Sequence, residues 1–361
     1  MKVKEWDISE AVCYLESAIK KGEIPGATLG IVADGDYTHL SIGKAGVIEG
    51  KTIELDDDML YDLASCTKVV ATTTIILKCI EKGMLSLKTA VIEILKDFPY
   101  SEINIEHLLT HTSGIISDDK KYKELTDKES IKNFIYSKQL SFNPGEKVEY
   151  SDFGYIILGF IIEELIGEID EIAKEWIFDP LKMHNTYYQP FKYVSTDRCV
   201  PTEYTSERGM IRGVVHDGKA FRLNGLSGNA GLFSTVDDLC HFTLMMLNDG
   251  KYNNERILSS STINNLKKCY TEKLNLRRTL GWFVNEGSAP MGDYYSDTCL
   301  FHTGFTGTSI YIDYKRKISI ILLTNRVHPT RKNANIVHIR NITHNLLLKK
   351  YDEGKEEKEC R

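Results

Sequence analysis

Apolar residues at three- to four-residue spacing, Val12, Leu15 and Ile19, predict an amphipathic helix that stops at Gly22 after the basic pair Lys20 and Lys21. Two apolar runs follow, 27–33 and 37–42. Between them stands Asp34-Gly35-Asp36, whose residues tolerate the positive φ of a tight turn, so an antiparallel hairpin is expected. From about 66 to 270 the spacing becomes helical, broken by polar loops, with helices expected at 66–82, 154–166, 168–177 and 235–248. The longest apolar run, Tyr155 to Ile162, meets Glu163 and Glu164 far short of the ~18 residues of a membrane span and predicts a buried helix. Strand patterns return at 280–285, 308–313 and 317–323. A helix near 333–349 carries Ile336, Ile339 and Leu346. The tail from Tyr351 has little to bury and is expected to fray.

Strand signals at both ends therefore flank a helical middle. Neither end can bury an apolar face alone, so the economical arrangement is an α+β fold in which both join one antiparallel sheet flanked by helices. The expected organisation is a sheet unit built from 1–64 and 275–361, with 65–274 as a mostly helical insertion.

Composition narrows the function. The 361 residues are 42% hydrophobic and 27% charged, which excludes disorder, collagen and coiled coil. Lys plus Arg number 45 against 51 Asp plus Glu, a net charge of −6, leaving no basic surplus for a nucleic-acid partner. Residues 1–22 contain no apolar stretch of the ~7–15 residues in a signal peptide. The cysteines form no CxxC pair, which points to free thiols and a cytoplasmic location, although a chain trimmed of a leader would read the same. Oligomeric state is not legible.

No G-x-S-x-G, H-E-x-x-H or P-loop string occurs. His107 and His111 share a helical spacing but lack further ligands, so they read as a helix end, and neither a metal nor a cofactor is expected. Ser-x-x-Lys places a hydroxyl and an amine on one side of a helical turn. It occurs at Ser17, Ser41, Ser65 and Ser117. The first, second and fourth read as solvated surface. Ser65 alone follows an apolar approach, Leu60 to Ala64, and opens an apolar helix whose N-terminus supplies N–H donors and positive potential for an oxyanion.

Ser65-Cys-Thr-Lys68, Tyr150-Ser151-Asp152 and His302-Thr303-Gly304, in that order, resemble the three motifs of the serine β-lactamase and penicillin-binding protein superfamily. The likeness is greatest to its AmpC-like and esterase branch. Ile24 to Ala27, Leu108 to Gly114, Asn143 to Glu146, Pro180 to Met183 and Gly231 to Thr235 add to the resemblance, which spans roughly 20–345. Val215-His216-Asp217 and Thr324 to Pro329 look closest to penicillin-binding protein 4B-like hydrolases. The resemblance implies the β-lactamase/transpeptidase-like fold, with the nucleophile where sheet and helical insertion meet. It also implies that Ser65 attacks a carbonyl, that Lys68 and Tyr150 share its proton, and that the N–H groups of Ser65 and Phe305 form the oxyanion hole. Which of Lys68 and Tyr150 is the base stays open.

Two positions depart from the family pattern. Asp152 stands where the family has Asn. An ionised carboxylate would hold Lys68 cationic and favour Tyr150 as the acceptor, whereas a protonated one would not; a loop or cap role is the alternative. His302 stands where the family has Lys, so recognition of a substrate carboxylate is expected to be weaker and pH-dependent. Thr303 and Gly304 are expected to contact substrate. Arg326 is expected to reach the same sheet edge and restore the charge, with a salt bridge to the adjacent helix as the alternative. His216, Asp217 and His328 are further candidates for the cleft.

The leading expectation is a serine acyl hydrolase acting on a small ester or amide. A DD-carboxypeptidase, penicillin-binding protein or β-lactamase acting on a peptide or lactam is the alternative. A non-catalytic binding module of the same fold leaves the three ordered motifs unexplained.

Overall fold

The computed structural model describes residues 1–117, 119–285, 291–333 and 335–359. Its frame is a seven-stranded sheet in the order Phe283–Val284, Cys299–Thr303, Ser309–Asp313, Ile318–Thr324, Gly26–Ala33, Asp36–Ile48, Lys51–Glu54. Every neighbouring pair is antiparallel. The two chain ends meet at one seam, where Ala27 faces Thr324 and Ala33 faces Ile318. The expected hairpin closes through Asp34 and Gly35, with φ of 54° and 77°.

Both seam strands are buried along their whole length, the pattern of a strand covered on two faces, which is why their sequences read as unbroken apolar runs. On one face Leu29, Ile31, Ile320 and Leu322 pack with Leu15 of the helix Ser9–Lys20 and Ile339 and Leu347 of the helix Ile336–Glu359. On the other, Val32, Ile321 and Leu323 meet Val236, Leu239 and Cys240 of the helix Val236–Leu247. Each such aliphatic side chain removed from water contributes about 1.5–3 kcal/mol. Gly30 sets the depth of that contact, because a Cβ there would lie 2.6 Å from Val236 Cγ2. This helix, expected within the inserted segment, thus packs directly on the sheet.

The helix Asp152–Ile166 is buried from Phe153 to Ile162, as its apolar run predicts. The segment 66–82 is less regular than expected. It opens as a 3-10 turn over Ala64–Cys66, widens to a π-helix over Lys68–Thr73, and becomes α-helical over Thr74–Glu81. The widened turn aims Lys68 and Thr72 at the consecutive carbonyls of Asn229 and Gly228. The 280–285 strand is reduced to Phe283–Val284, and Cys299–Thr303 is a strand the apolar pattern did not single out. The tail expected to fray is helical to Glu359. It is anchored by Tyr351, which stacks edge-on against Trp6, and by Asp352, which pairs with Arg316. Among the described residues no helix is long and apolar enough to cross a membrane.

Candidate active site

The short strand Tyr61–Asp62 is clamped against Leu232–Ser234, and the chain then reverses sharply at Ala64, whose φ is 47°. A non-glycine residue in this region is strained and needs outside support. Asp62 supplies it, Oδ1 accepting the Ala64 N–H at 2.8 Å. The carbonyls of Asp62 and Leu63 accept from the hydroxyls of Thr306 and Thr308 at 2.7 and 3.0 Å. The corner carrying Ser65 is therefore bolted to the loop that follows the strand Cys299–Thr303. Gly304 is the point of closest approach, since a Cβ there would lie 2.4 Å from the Leu63 carbonyl oxygen. Among the described residues neither the Ser65 N–H nor the Phe305 N–H has an intramolecular acceptor.

Lys68 is fully buried, and its three donors are all engaged. They reach Ser65 Oγ at 3.0 Å, Asp152 Oδ1 at 2.8 Å and the Asn229 carbonyl at 3.0 Å. Asp152, the first residue of its helix behind the N-cap Ser151, pairs through Oδ2 with Lys219 at 3.0 Å. Burial opposes both charges, yet the two lysines bring Asp152 down to about 2, and Asp152 with Tyr150 holds Lys68 above its ordinary value. Lys68 is a cation and Asp152 an anion at neutral pH.

The Tyr150 ring lies 4.8 Å from Lys68 Nζ and stacks on His111 at 4.5 Å. Burial raises the phenol above its usual value, while Lys68 and Ser65 pull the other way without cancelling it. His111 accepts the Ser151 N–H on Nδ1 at 3.1 Å, and so fixes the loop between Tyr150 and Asp152. Burial and nearby cations hold His111 neutral.

His302 is buried behind Tyr150, ring to ring 6.3 Å, and donates Nδ1–H to the Thr303 carbonyl at 3.0 Å. Burial, Lys68 and Arg278 depress its pKa well below the usual imidazole value. It is not the partial cation the sequence suggests. Thr303 is half-buried and lies outside the lining of the cleft. Arg326 is also elsewhere. Its guanidinium donates to the carbonyls of Phe305, Arg331 and Asn333 at 2.8, 3.2 and 2.8 Å, holding the Phe305 loop rather than presenting charge to a ligand.

Ser65, Tyr150, Asp152 and Phe305 open on a cleft of about 550 Å³. The lining also carries Lys123, Arg208, Lys219, Arg222 and Arg331 together with Glu207 and Asp217. His216 and Asp217 line it as foreseen, and so does Ser117, which the sequence assigns to plain surface. His328 does not, its ring nitrogens being tied to Thr202 and Val47. Lys219, which neutralises the second oxygen of Asp152, escaped the sequence reading. Its signal was the carboxylate at 152, whose second oxygen Lys68 leaves without a partner.

Metal-ligand atoms come together among the described residues at Asp237, Asp238 and His241, away from this cleft. There Asp238 is occupied by the Asn185 N–H and the Thr186 hydroxyl, and Asp237 by Tyr37.

A sequence model of the beta-lactamase family matches residues 14–343. The N-acetylmuramyl-L-alanine amidase of Bacillus subtilis (strain 168) is 31% identical, over 84% of this chain and 78% of its own. A "Putative D-alanyl-D-alanine carboxypeptidase" of Escherichia coli O157:H7 is 30% identical, over 86% of this chain and 82% of its own. The octameric penicillin-binding protein homologue from Pyrococcus abyssi superimposes with a TM-score of 0.74 at 22% identity, covering 95% of this chain and 77% of its own, a likeness of fold. The match over nearly the whole chain agrees with the sheet, the buried helix and the Ser65 corner, and the protein belongs to the beta-lactamase family of serine hydrolases.

Proposed function

We propose that the protein hydrolyses an ester or amide through an acyl-enzyme on Ser65. The observation that carries this reading is the fully buried Lys68, which bridges Ser65 Oγ and Asp152 at the base of an open cleft. Ser65 Oγ attacks the carbonyl carbon, and its proton passes to Tyr150 in its phenolate form, because Lys68 already carries its full complement of hydrogens. The Lys68 charge stabilises that phenolate until it takes the proton. The free N–H groups of Ser65 and Phe305 point to an oxyanion hole. Tyr150 then returns the proton to the departing alcohol or amine, and water opens the ester.

The chemistry of the walls speaks to substrate. Five cationic residues line the cleft against three acidic ones once Asp152 is included, so a polar acyl compound bearing negative charge fits better than an apolar ester. That observation favours, as a second reading, cleavage of a peptide with a free carboxylate, in keeping with the amidase and carboxypeptidase names of the two relatives. In both readings a sheet unit of 1–64 and 275–361 and an inserted segment 65–274 each supply a wall.

The test is to incubate wild type and Ser65→Ala with p-nitrophenyl acetate and with a penicillin, following product release and intact mass. Ser65-dependent ester turnover is expected. A stable penicillin adduct without turnover would favour the peptidase reading, and silence of wild type with both probes would sink the hydrolase.

A further inference from the structure

Resting on that reading, we propose that His216, held by Glu203, is the general base that activates water for deacylation. Hydrolysis of the acyl-enzyme needs a base that Lys68 cannot supply, its three hydrogens being committed. Tyr150 is left as a phenolate when it protonates the leaving group, and its raised pKa favours its reprotonation from solvent before deacylation, after which it has no site for the water proton.

The His216 backbone is fixed to the nucleophile corner. Its N–H donates to Asp62 Oδ2 at 2.6 Å, while Asp62 Oδ1 holds the Ala64 N–H. One carboxylate thus sets the positions of the residue before Ser65 and of His216. The imidazole stacks on the Phe305 ring, 5.7 Å between centroids and 21° between planes. His216 and Ser65 line the same cleft.

The tautomer follows from what lies behind the ring. Glu203 is buried and receives the Arg331 side chain at 2.7 and 3.0 Å and the Arg331 N–H at 3.0 Å. Burial opposes its charge, but these donors bring it down to about 2, so it is an anion and can only accept. His216 Nε2 lies 2.9 Å from Glu203 Oε2 and must carry the hydrogen. The Arg331 nitrogen 3.5 Å from the same Nε2 is too distant to reverse that choice. Nδ1 is left with its lone pair, since the hydrogen bonds of the ring among the described residues are all made at Nε2. Burial depresses the pKa of His216, keeping the ring neutral. Carboxylate, imidazole and cleft thus stand in the order of an oriented base.

The step balances. As the water oxygen bonds to the acyl carbonyl carbon, His216 Nδ1 takes one water proton and the carbonyl electrons move onto the oxyanion. Collapse breaks the bond to Ser65 Oγ and releases the acid. Oγ leaves with the proton that Lys68 holds against it, and Lys68 recovers one from solvent as His216 gives up its own.

Stopped-flow and intact-mass measurements with p-nitrophenyl acetate test this on wild type, His216→Ala, His216→Gln and Glu203→Gln. Both His216 variants are expected to keep a burst of about one p-nitrophenolate per enzyme at the wild-type rate. Steady-state turnover should fall 30-fold or more, with an acetyl adduct accumulating on Ser65. Added imidazole should restore turnover to His216→Ala but not to His216→Gln, whose amide still donates to Glu203 and fills the space. Glu203→Gln should slow the steady state in the same way. Unchanged turnover in His216→Gln, or a burst that falls in step with it, overturns the proposal while leaving the hydrolase intact. Absence of any Ser65-dependent turnover in wild type overturns both.

Discussion

The Asp152 carboxylate lies 2.8 Å from the Lys68 ammonium and determines which groups around Ser65 are charged. With an amide at 152, burial would be opposed on Lys68 by Tyr150 only, and its pKa would fall. The carboxylate reverses this, and Lys219 on its other oxygen keeps it ionised. Asp152→Asn is therefore expected to free Lys68 to lose its proton at lower pH and take over as acceptor. The rising limb of kcat/KM should move down by about one pH unit or more. A pH–rate profile of the variant checks it, and an unmoved limb would mean that Lys68 is not held by this charge.

Tyr150 gives the wild-type profile its direction. Its pKa is raised, so below that value the phenolate fraction grows about tenfold per pH unit, and acylation should climb from pH 7 to 9 without a plateau. Tyr150→Phe keeps the ring stacked on His111 and removes the proton acceptor. A loss of about 10²–10⁴ in kcat/KM is expected, together with the alkaline rise. A variant that retained the rise would point to another group.

His302 invites a family-guided substitution that the surroundings forbid. Lysine at 302 would place an ammonium where the imidazole is 1% exposed, near Lys68 and Arg278, both of which already push against a positive charge. Burying an uncompensated cation there should cost about 2–4 kcal/mol. His302→Lys is expected to lower Tm by several degrees and to gain no penicillin affinity. Thermal denaturation and intact mass after penicillin treatment decide the point.

The parts that could be read from sequence are those written in local pattern. The buried run 155–162, the Asp34-Gly35 turn and the Ser65, Tyr150 and His302 motifs carry their own spacing, and the structure brings all three motifs together. What could not be read depends on contacts across the chain. Arg326 follows a strand in sequence, but which way it turns is decided by carbonyls at 305, 331 and 333. His302 is neutral because of neighbours 150 and more residues away, such as Tyr150 and Lys68. The tail is ordered because Trp6, at the opposite end of the chain, provides a seat for Tyr351.

Gly304 tests whether the corner at Ser65 must be held as tightly as its bonds suggest. An alanine Cβ would lie 2.1 Å from Thr308 Oγ1 and 2.4 Å from the Leu63 carbonyl oxygen. The threonine hydroxyl can rotate away, although it would surrender its own bond to Leu63. The carbonyl belongs to the backbone two residues before Ser65, so relief requires the corner itself to shift by about 1 Å, a displacement that costs catalysis ~10²-fold. Overpacking of this kind costs stability only about 1–3 kcal/mol, so Gly304→Ala should fold. The expected result is a folded variant with kcat/KM down about a hundredfold and a correspondingly smaller p-nitrophenol burst rate. Full activity in a variant of lowered Tm would show that the nucleophile corner tolerates displacement, and that the hydroxyls of Thr306 and Thr308 serve the fold alone.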